Sequence, residues 1–168
     1  MESVILENEL VKCVILPKLG GKIASFVLKD KNFELLFQNK SVIDRIPVLG
    51  DDFANFDASG FDDAFPNIDA EYVSVDGKSI LYPDHGEIWS AQFNYKHEND
   101  IAELWYESKI LPYVYRKWVS LTENNLIVDY EIKNTHESVE FPCIWTMHGL
   151  ANCSRDMKIL FPNHVKEV

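Results

Sequence analysis

Apolar and polar residues alternate one by one along much of this chain. The clearest run is 126–133, LIVDYEIK, in which every second residue is apolar. A period of two places successive side chains on opposite faces of a β-strand, so the run predicts a strand with one buried face. Similar runs predict further strands at Leu10–Leu16, Lys22–Leu28, Glu87–Tyr95, Ile101–Glu107, Val114–Leu121 and Val139–Met147.

Short polar turns join these runs at spacings of about ten residues, which is the pattern of an antiparallel sandwich or barrel. Helical periodicity is nearly absent. The one predicted helical turn is 61–65, where Phe61 and Phe65 are four residues apart and Pro66 follows. No repeat or flexible linker divides the chain. We therefore predict an all-β protein, with residues 1–168 forming a single antiparallel β-sandwich domain.

The charge balance narrows the classes of partner. The chain carries 27 acidic and 16 basic residues, a net charge of −11 with neutral histidines. Such a chain lacks the basic surface that nucleic acids and anionic membranes require. Three widely spaced cysteines without a CxxC pair favour reduced thiols, and the acidic N-terminus is unlike a secretory signal. We expect a cytoplasmic protein whose partner is a small uncharged ligand or a cation.

The segment 83–89, PDHGEIW, is the first candidate site. If a strand begins near His85, then His85, Glu87 and Trp89 share one face. An indole can stack on the apolar face of a pyranose while polar groups bond its hydroxyls, so this face resembles a sugar subsite. The alternative is a loop histidine beside a tryptophan of the core.

His148 is the second candidate, because it ends an apolar run and precedes Gly149. A histidine at the mouth of a sandwich can act as a general acid or base near neutral pH. The alternative is a histidine with a purely structural role.

No metal or cofactor site is predicted. The acids between residues 51 and 76 do not have the spacing of an EF-hand loop, and a solvated acidic loop is the better interpretation. Cys143, His148 and Cys153 match no zinc-finger pattern. The chain has no G-x-S-x-G, P-loop or GxGxxG motif. The acids in question are Asp51, Asp52, Asp57, Asp62, Asp63 and Asp69.

Four segments in order resemble the galactose mutarotase-like proteins, which include the aldose 1-epimerases. LPKLGGKIASF at 16–26 and ELLFQN at 34–39 are similar to the first hairpin of that family. GFDDAFPNI at 60–68 resembles its GGWDECFPTI segment, and PDHGEIWS at 83–90 resembles its PDHGELWS block. The resemblance implies a large β-sandwich with a sugar cleft, and interconversion of aldose anomers without a cofactor or metal.

The resemblance also implies roles for individual residues. His148 would donate a proton to the ring oxygen, and His85 would bond the ring oxygen or a neighbouring hydroxyl. Glu87, Trp89 and Asp62 would contact the sugar. The family's base is a glutamate in a C-terminal strand with no equivalent here, and an arginine ahead of the first histidine is also missing. Three possibilities follow: an epimerase in which Glu87 replaces the base if it faces His148, a sugar-binding module without catalysis, or a purely structural fragment.

These interpretations predict particular geometry. His85 and His148 should lie on neighbouring strands and converge on one concave pocket, with Trp89 partly exposed to it. Trp105 and Trp118 should be largely buried. The segment 158–162 should form a strand whose neighbours this sequence does not encode, which predicts an incomplete sandwich or a second copy covering the open edge.

Overall fold

The computed structural model describes residues 1–40, 45–56 and 58–166. Asp57, one of the acids of the predicted acidic loop, lies outside the described residues. The chain is an antiparallel β-sandwich, as predicted. Its strands are β1 (Val4–Glu7), β2 (Val11–Leu16), β3 (Lys22–Leu28), β4 (Phe33–Glu34), β5 (Phe61–Ala64), β6 (Glu71–Val75), β7 (Lys78–Tyr82), β8 (Asn94–Glu98), β9 (Ile101–Glu107), β10 (Tyr113–Thr122), β11 (Asn125–Asn134) and β12 (Thr146–Gly149).

The described strands form three sheets. A six-stranded sheet has the order β1-β2-β3-β5-β12, with β4 paired to β3. A four-stranded sheet has the order β11-β10-β9-β8, and β6 and β7 form a separate hairpin. The six-stranded and four-stranded sheets face each other. Ile15 and Ile23 of the first and Leu104 and Tyr115 of the second are completely buried in one core.

Strand prediction is most accurate where consecutive strands pair. The observed bounds of β3 and β9 are those predicted, and β10 and β11 are one residue longer at each end. Of the predicted strand Glu87–Tyr95, only Asn94 and Tyr95 are in a strand, at the start of β8. A 3₁₀ turn occupies Ile88–Ser90, and its adjacent residues Ile88 and Trp89 are both buried, which strand alternation does not allow.

Three other predictions are wrong for a related reason. The segment 61–65 is not helical, because Phe61–Ala64 pairs with β12 and touches β3. Of the predicted strand Val139–Met147, only the end from Thr146 is a strand. The segment 158–162 forms no strand, and its Leu160 side chain is 87% exposed. Each depends on long-range pairing, which local alternation does not reveal.

Trp105 and Trp118 are only partly buried, contrary to expectation. The alternation of β9 and β10 was predicted correctly, but the two tryptophans were assigned to the wrong face of the sheet. Tyr115 and Lys117 point into the core, so Trp118 lies on the outer face, where the Arg116 guanidinium carbon is 5.9 Å from its ring centre. Lys117 is accommodated because its Nζ lies 2.6 Å from Oδ2 of Asp63 across the two sheets. The inward-facing residue at this point of β10 is therefore Lys117, paired with Asp63, and not Trp118 as we expected.

The three cysteines are free, as expected for reduced thiols. Cys13 is buried in the core, and its pKa is raised to about 12, mainly by burial. Cys143 and Cys153 are exposed. Within the described part of the chain, no helix has the length and apolar character needed to cross a bilayer.

Candidate histidine site

The candidate site lies on the outer face of the six-stranded sheet. Ile23 and Asp63 point into the core, so their neighbours Lys22 and Asp62 point to the opposite face. His148 is the register partner of Asp62 in the β5–β12 pair, which places it on that same outer face. Three of the polar groups of the site are thus positioned by strand alternation and register.

His85 reaches this face from a turn rather than from a strand. The turn is closed by the Gly86 amide, which donates to the Pro83 carbonyl at 3.0 Å. His85 and Gly86 both have a positive φ, 55° and 70°. A Cβ at position 86 would lie 2.0 Å from the Phe65 carbonyl oxygen, so only glycine allows this close approach.

The imidazoles of His85 and His148 lie close together, as predicted, although neither ring lines the cavity described below. Their ring centroids are 5.1 Å apart, with an interplanar angle of 76°. The expectation that both histidines lie on strands is wrong for His85. The turn nevertheless brings its ring onto the face occupied by His148.

Asp84 organises the turn and was missed by the sequence analysis. Its Oδ1 lies 3.0 Å from Nδ1 of His85, and its Oδ2 accepts from the Phe53 amide at 2.8 Å. Its backbone carbonyl accepts from Nε1 of Trp89 at 3.0 Å. A carboxylate only accepts, so Nδ1 of His85 carries a proton and Nε2 is the nitrogen available to a ligand. In the sequence, the only sign of this role is that Asp84 directly precedes His85.

The environment of His148 favours its neutral form. Partial burial lowers the pKa of His148, and the positive charge of a protonated His85 lowers it further. Asp84, in contrast, lies beside His85. The contact between Asp84 Oδ1 and His85 Nδ1 is 3.0 Å long.

Glu87 does not face His148, so the hypothesis that it replaces the missing base is wrong. Its side chain is 1% exposed and accepts hydrogen bonds from the Tyr106 hydroxyl at 3.1 Å and the Tyr113 hydroxyl at 2.9 Å. The Ser108 hydroxyl and the Lys109 amide also donate to it. These four donors fix the 108–113 turn to the carboxylate, which gives Glu87 a structural role.

Trp89 is buried, with 4% of its surface exposed, although we expected partial exposure. The 3₁₀ turn and the hydrogen bond to Asp84 hold the indole inward. Trp89 also lines a cavity of about 240 Å³ near the histidine pair. The cavity is also lined by Lys22, Asp62, Arg45, Phe53 and Phe56, among others.

Asp62 brings a titratable group to this cavity. Its Oδ2 is 3.2 Å from Nζ of Lys22, and both side chains are almost completely buried. Burial raises the pKa of Asp62 to about 6 and outweighs the opposite effects of Lys22 and Lys117. The group therefore changes its charge just below neutral pH.

Phe53 lines the cavity and also contacts both histidines. Its ring stacks on His85 with centroids 4.3 Å apart and a 15° angle, and meets His148 edge-on at 5.5 Å. It also meets Trp89 edge-on at 5.1 Å. In the part of the chain that is described, no three His, Cys, Asp or Glu side chains are grouped as metal ligands would be.

No protein-family model and no curated protein sequence matches this chain. Among solved structures, the chain is similar to 4-alpha-glucanotransferase from Thermococcus litoralis, with 17% identity and a TM-score of 0.45. The similarity covers 77% of this chain and 22% of that enzyme. At this level of similarity, the function of that enzyme does not transfer to this chain.

Proposed function

We propose that this protein binds an aldose and interconverts its anomers at the His85–His148 pair. The observation that supports this function is the convergence of two imidazoles, 5.1 Å apart, beside a carboxylate. Opening a cyclic hemiacetal requires that one proton leave the anomeric hydroxyl while another reaches the ring oxygen. A pair of imidazoles that shares one proton supplies one base and one acid.

The surroundings of the two rings support one assignment of the acid and the base. Neutral His148 takes the proton of the anomeric hydroxyl, and the bond between the anomeric carbon and the ring oxygen breaks as the carbonyl forms. His85, protonated and stabilised by Asp84, donates its Nε2 proton to the ring oxygen. Rotation of the aldehyde and reclosure by the reverse proton transfers give the other anomer. These roles are opposite to those implied by the family resemblance, and they need no C-terminal glutamate.

The cavity supplies contacts for the rest of the sugar. Asp62 and Lys22 offer an acceptor and a donor at its wall, and Trp89 and Phe56 offer apolar surface. Such a combination suits the hydroxyls and C–H faces of a sugar ring. The exposed free thiols further support the cytoplasmic location that we propose.

The decisive experiment follows the mutarotation of freshly dissolved α-anomers of several aldoses by polarimetry. We expect acceleration over buffer, and a bell-shaped pH profile because only the singly protonated pair is active. His85→Asn and His148→Asn should each lower the rate by about 10²–10⁴-fold, the usual contribution of a general acid or base. His97→Asn, at an exposed position on β8, is the matched control. Equal rates for all four proteins would refute catalysis by this pair.

The alternative is a sugar-binding module that does not catalyse the reaction. The lining of the cavity favours it, since neither His85 nor His148 contributes to its wall. Chemical-shift changes of the imidazole protons on addition of a sugar, with no change in the mutarotation rate, would establish this function instead.

A further inference from the structure

We propose that the loop 45–56 is an autoinhibitory lid, in which the Phe53 ring occupies the place of the sugar on the histidine pair. The proposal rests on the proposed function insofar as the displacing ligand is a sugar. The covering of the histidines by Phe53 can be tested without any sugar. Phe53 then determines how tightly the site binds, although it takes no part in proton transfer.

The ring contacts of Phe53 carry the proposal. One phenyl ring lies against His85, His148 and Trp89 at centroid distances of 4.3, 5.5 and 5.1 Å. A sugar would bring its own C–H face and hydroxyls to these same three rings. The His85 side chain is left 18% exposed. Phenyl ring and sugar therefore compete for one surface.

The Phe53 side chain also lines the cavity. Its walls come partly from the loop, through Arg45, Pro47, Phe53 and Phe56, and partly from the body of the sandwich. The loop in its closed position thus leaves about 240 Å³ unfilled against the sheet. Movement of Phe53 away from His85 would join this space to the histidine pair and create one continuous site for a sugar.

Asp84 couples the lid to the histidines. Its two carboxylate oxygens are divided between the Phe53 amide and His85 Nδ1. Hydrogen bonds within the loop are local: Asp52 accepts from the Ala54 amide, and Asp51 accepts from the Val48 amide. The loop can keep these internal turns while the hydrogen bond from the Phe53 amide to Asp84 breaks.

Histidine modification by diethyl pyrocarbonate tests the lid, with each site followed by mass spectrometry. Exposed His97, His136 and His164 serve as internal references. In the unchanged protein, His85 and His148 should react several-fold more slowly than these references. Phe53→Ala should remove most of that protection, whereas Phe33→Ala, at an exposed position on β4, should not. Circular dichroism verifies that both variants are folded, and Phe53→Leu replaces Phe53→Ala if the latter is not.

The lid proposal is wrong if, in the unchanged protein, His85 and His148 react as fast as the reference histidines. It is also wrong if protection persists in the folded Phe53 variant. Sugar titration then tests autoinhibition: the Phe53 variant should bind an aldose several-fold more tightly than the unchanged protein, and equal affinities would refute the competition. If neither protein binds an aldose, the proposed function is wrong, and the modification rates alone decide whether Phe53 covers the pair.

Discussion

Asp62 and Asp63 are neighbours on β5, yet they belong to two different environments. Asp63 points between the sheets, where Lys117 lies 2.6 Å from Oδ2 and the Tyr130 hydroxyl donates to Oδ1 at 3.0 Å. Asp62 points to the outer face, where Lys22 lies 3.2 Å away at the wall of the cavity. Each carboxylate is buried and forms an ion pair with a lysine.

The two carboxylates differ in the contacts that replace their water. The Asp63 carboxylate uses both oxygens in short contacts with the opposite sheet, which compensates for the loss of water. The longer contact of Asp62 does not compensate fully, so burial raises the pKa of Asp62 to about 6. Strand alternation thus places one ion pair in the core and a carboxylate with a raised pKa at the site.

The largest expected effect comes from Lys117→Met, which leaves the Asp63 carboxylate buried without its cation. Removing one partner of a buried pair costs about 3–5 kcal/mol, so we expect a loss of that size in the free energy of unfolding. Urea denaturation measures it. Lys133→Met on the exposed part of β11 is the matched control, with an expected change below about 0.5 kcal/mol.

The double variant Lys117→Met with Asp63→Leu sharpens this prediction. Replacing both charges removes the uncompensated carboxylate, so the double variant should be more stable than Lys117→Met alone. A double variant that is less stable than Lys117→Met would show that the Asp63 carboxylate stabilises the fold even without the lysine, through its hydrogen bond from the Tyr130 hydroxyl.

Lys22→Met should have a smaller effect, roughly 1–3 kcal/mol, the cost of depriving a buried group of its partner. Asp62 can respond by taking up a proton, because its pKa is already near neutral. Carboxyl ¹³C NMR should show the Asp62 midpoint moving above 6, since the ammonium no longer opposes the effect of burial. An unchanged midpoint would mean that Lys22 does not act on Asp62.

The smallest expected effect is that of His148, which changes only the pH dependence of the free energy of unfolding. Its pKa in the folded protein lies below the ordinary 6.5, so the unfolded chain takes up the proton first as the pH falls. His148 therefore lowers stability as the pH falls below about 6.5. His148→Asn should reduce the decline in unfolding free energy measured between pH 7 and pH 5, and His97→Asn should not. A decline that is unchanged in His148→Asn would contradict the lowered pKa.

Local alternation was sufficient to predict most of the sandwich. The bounds of β3 and β9 follow from the sequence because each strand pairs with a neighbour close along the chain, so one pattern describes both partners. It failed at β5, whose apolar residues at 61 and 65 suggested a helix. The partners of β5 are β12 and β3, and nothing near residue 61 reveals that pairing.

The candidate site was predictable only in part. The two histidines came from the motifs, and their convergence depends on the register that sets His148 opposite Asp62. The face of Trp89 could not be predicted, because it depends on the turn that Gly86 initiates. Phe53 was not predicted at all, since its loop has no periodicity and its contacts lie more than thirty residues away in the chain.

The buried thiol of Cys13 in β2 can be used to detect opening of the core. Cys13 is fully buried with a pKa of about 12, so it is an unreactive thiol in the native fold. Cys143 and Cys153 are exposed and can be blocked first with an alkylating reagent. Any later labelling of Cys13 then measures how often the core opens, which gives the native-state opening rate or free energy without denaturant.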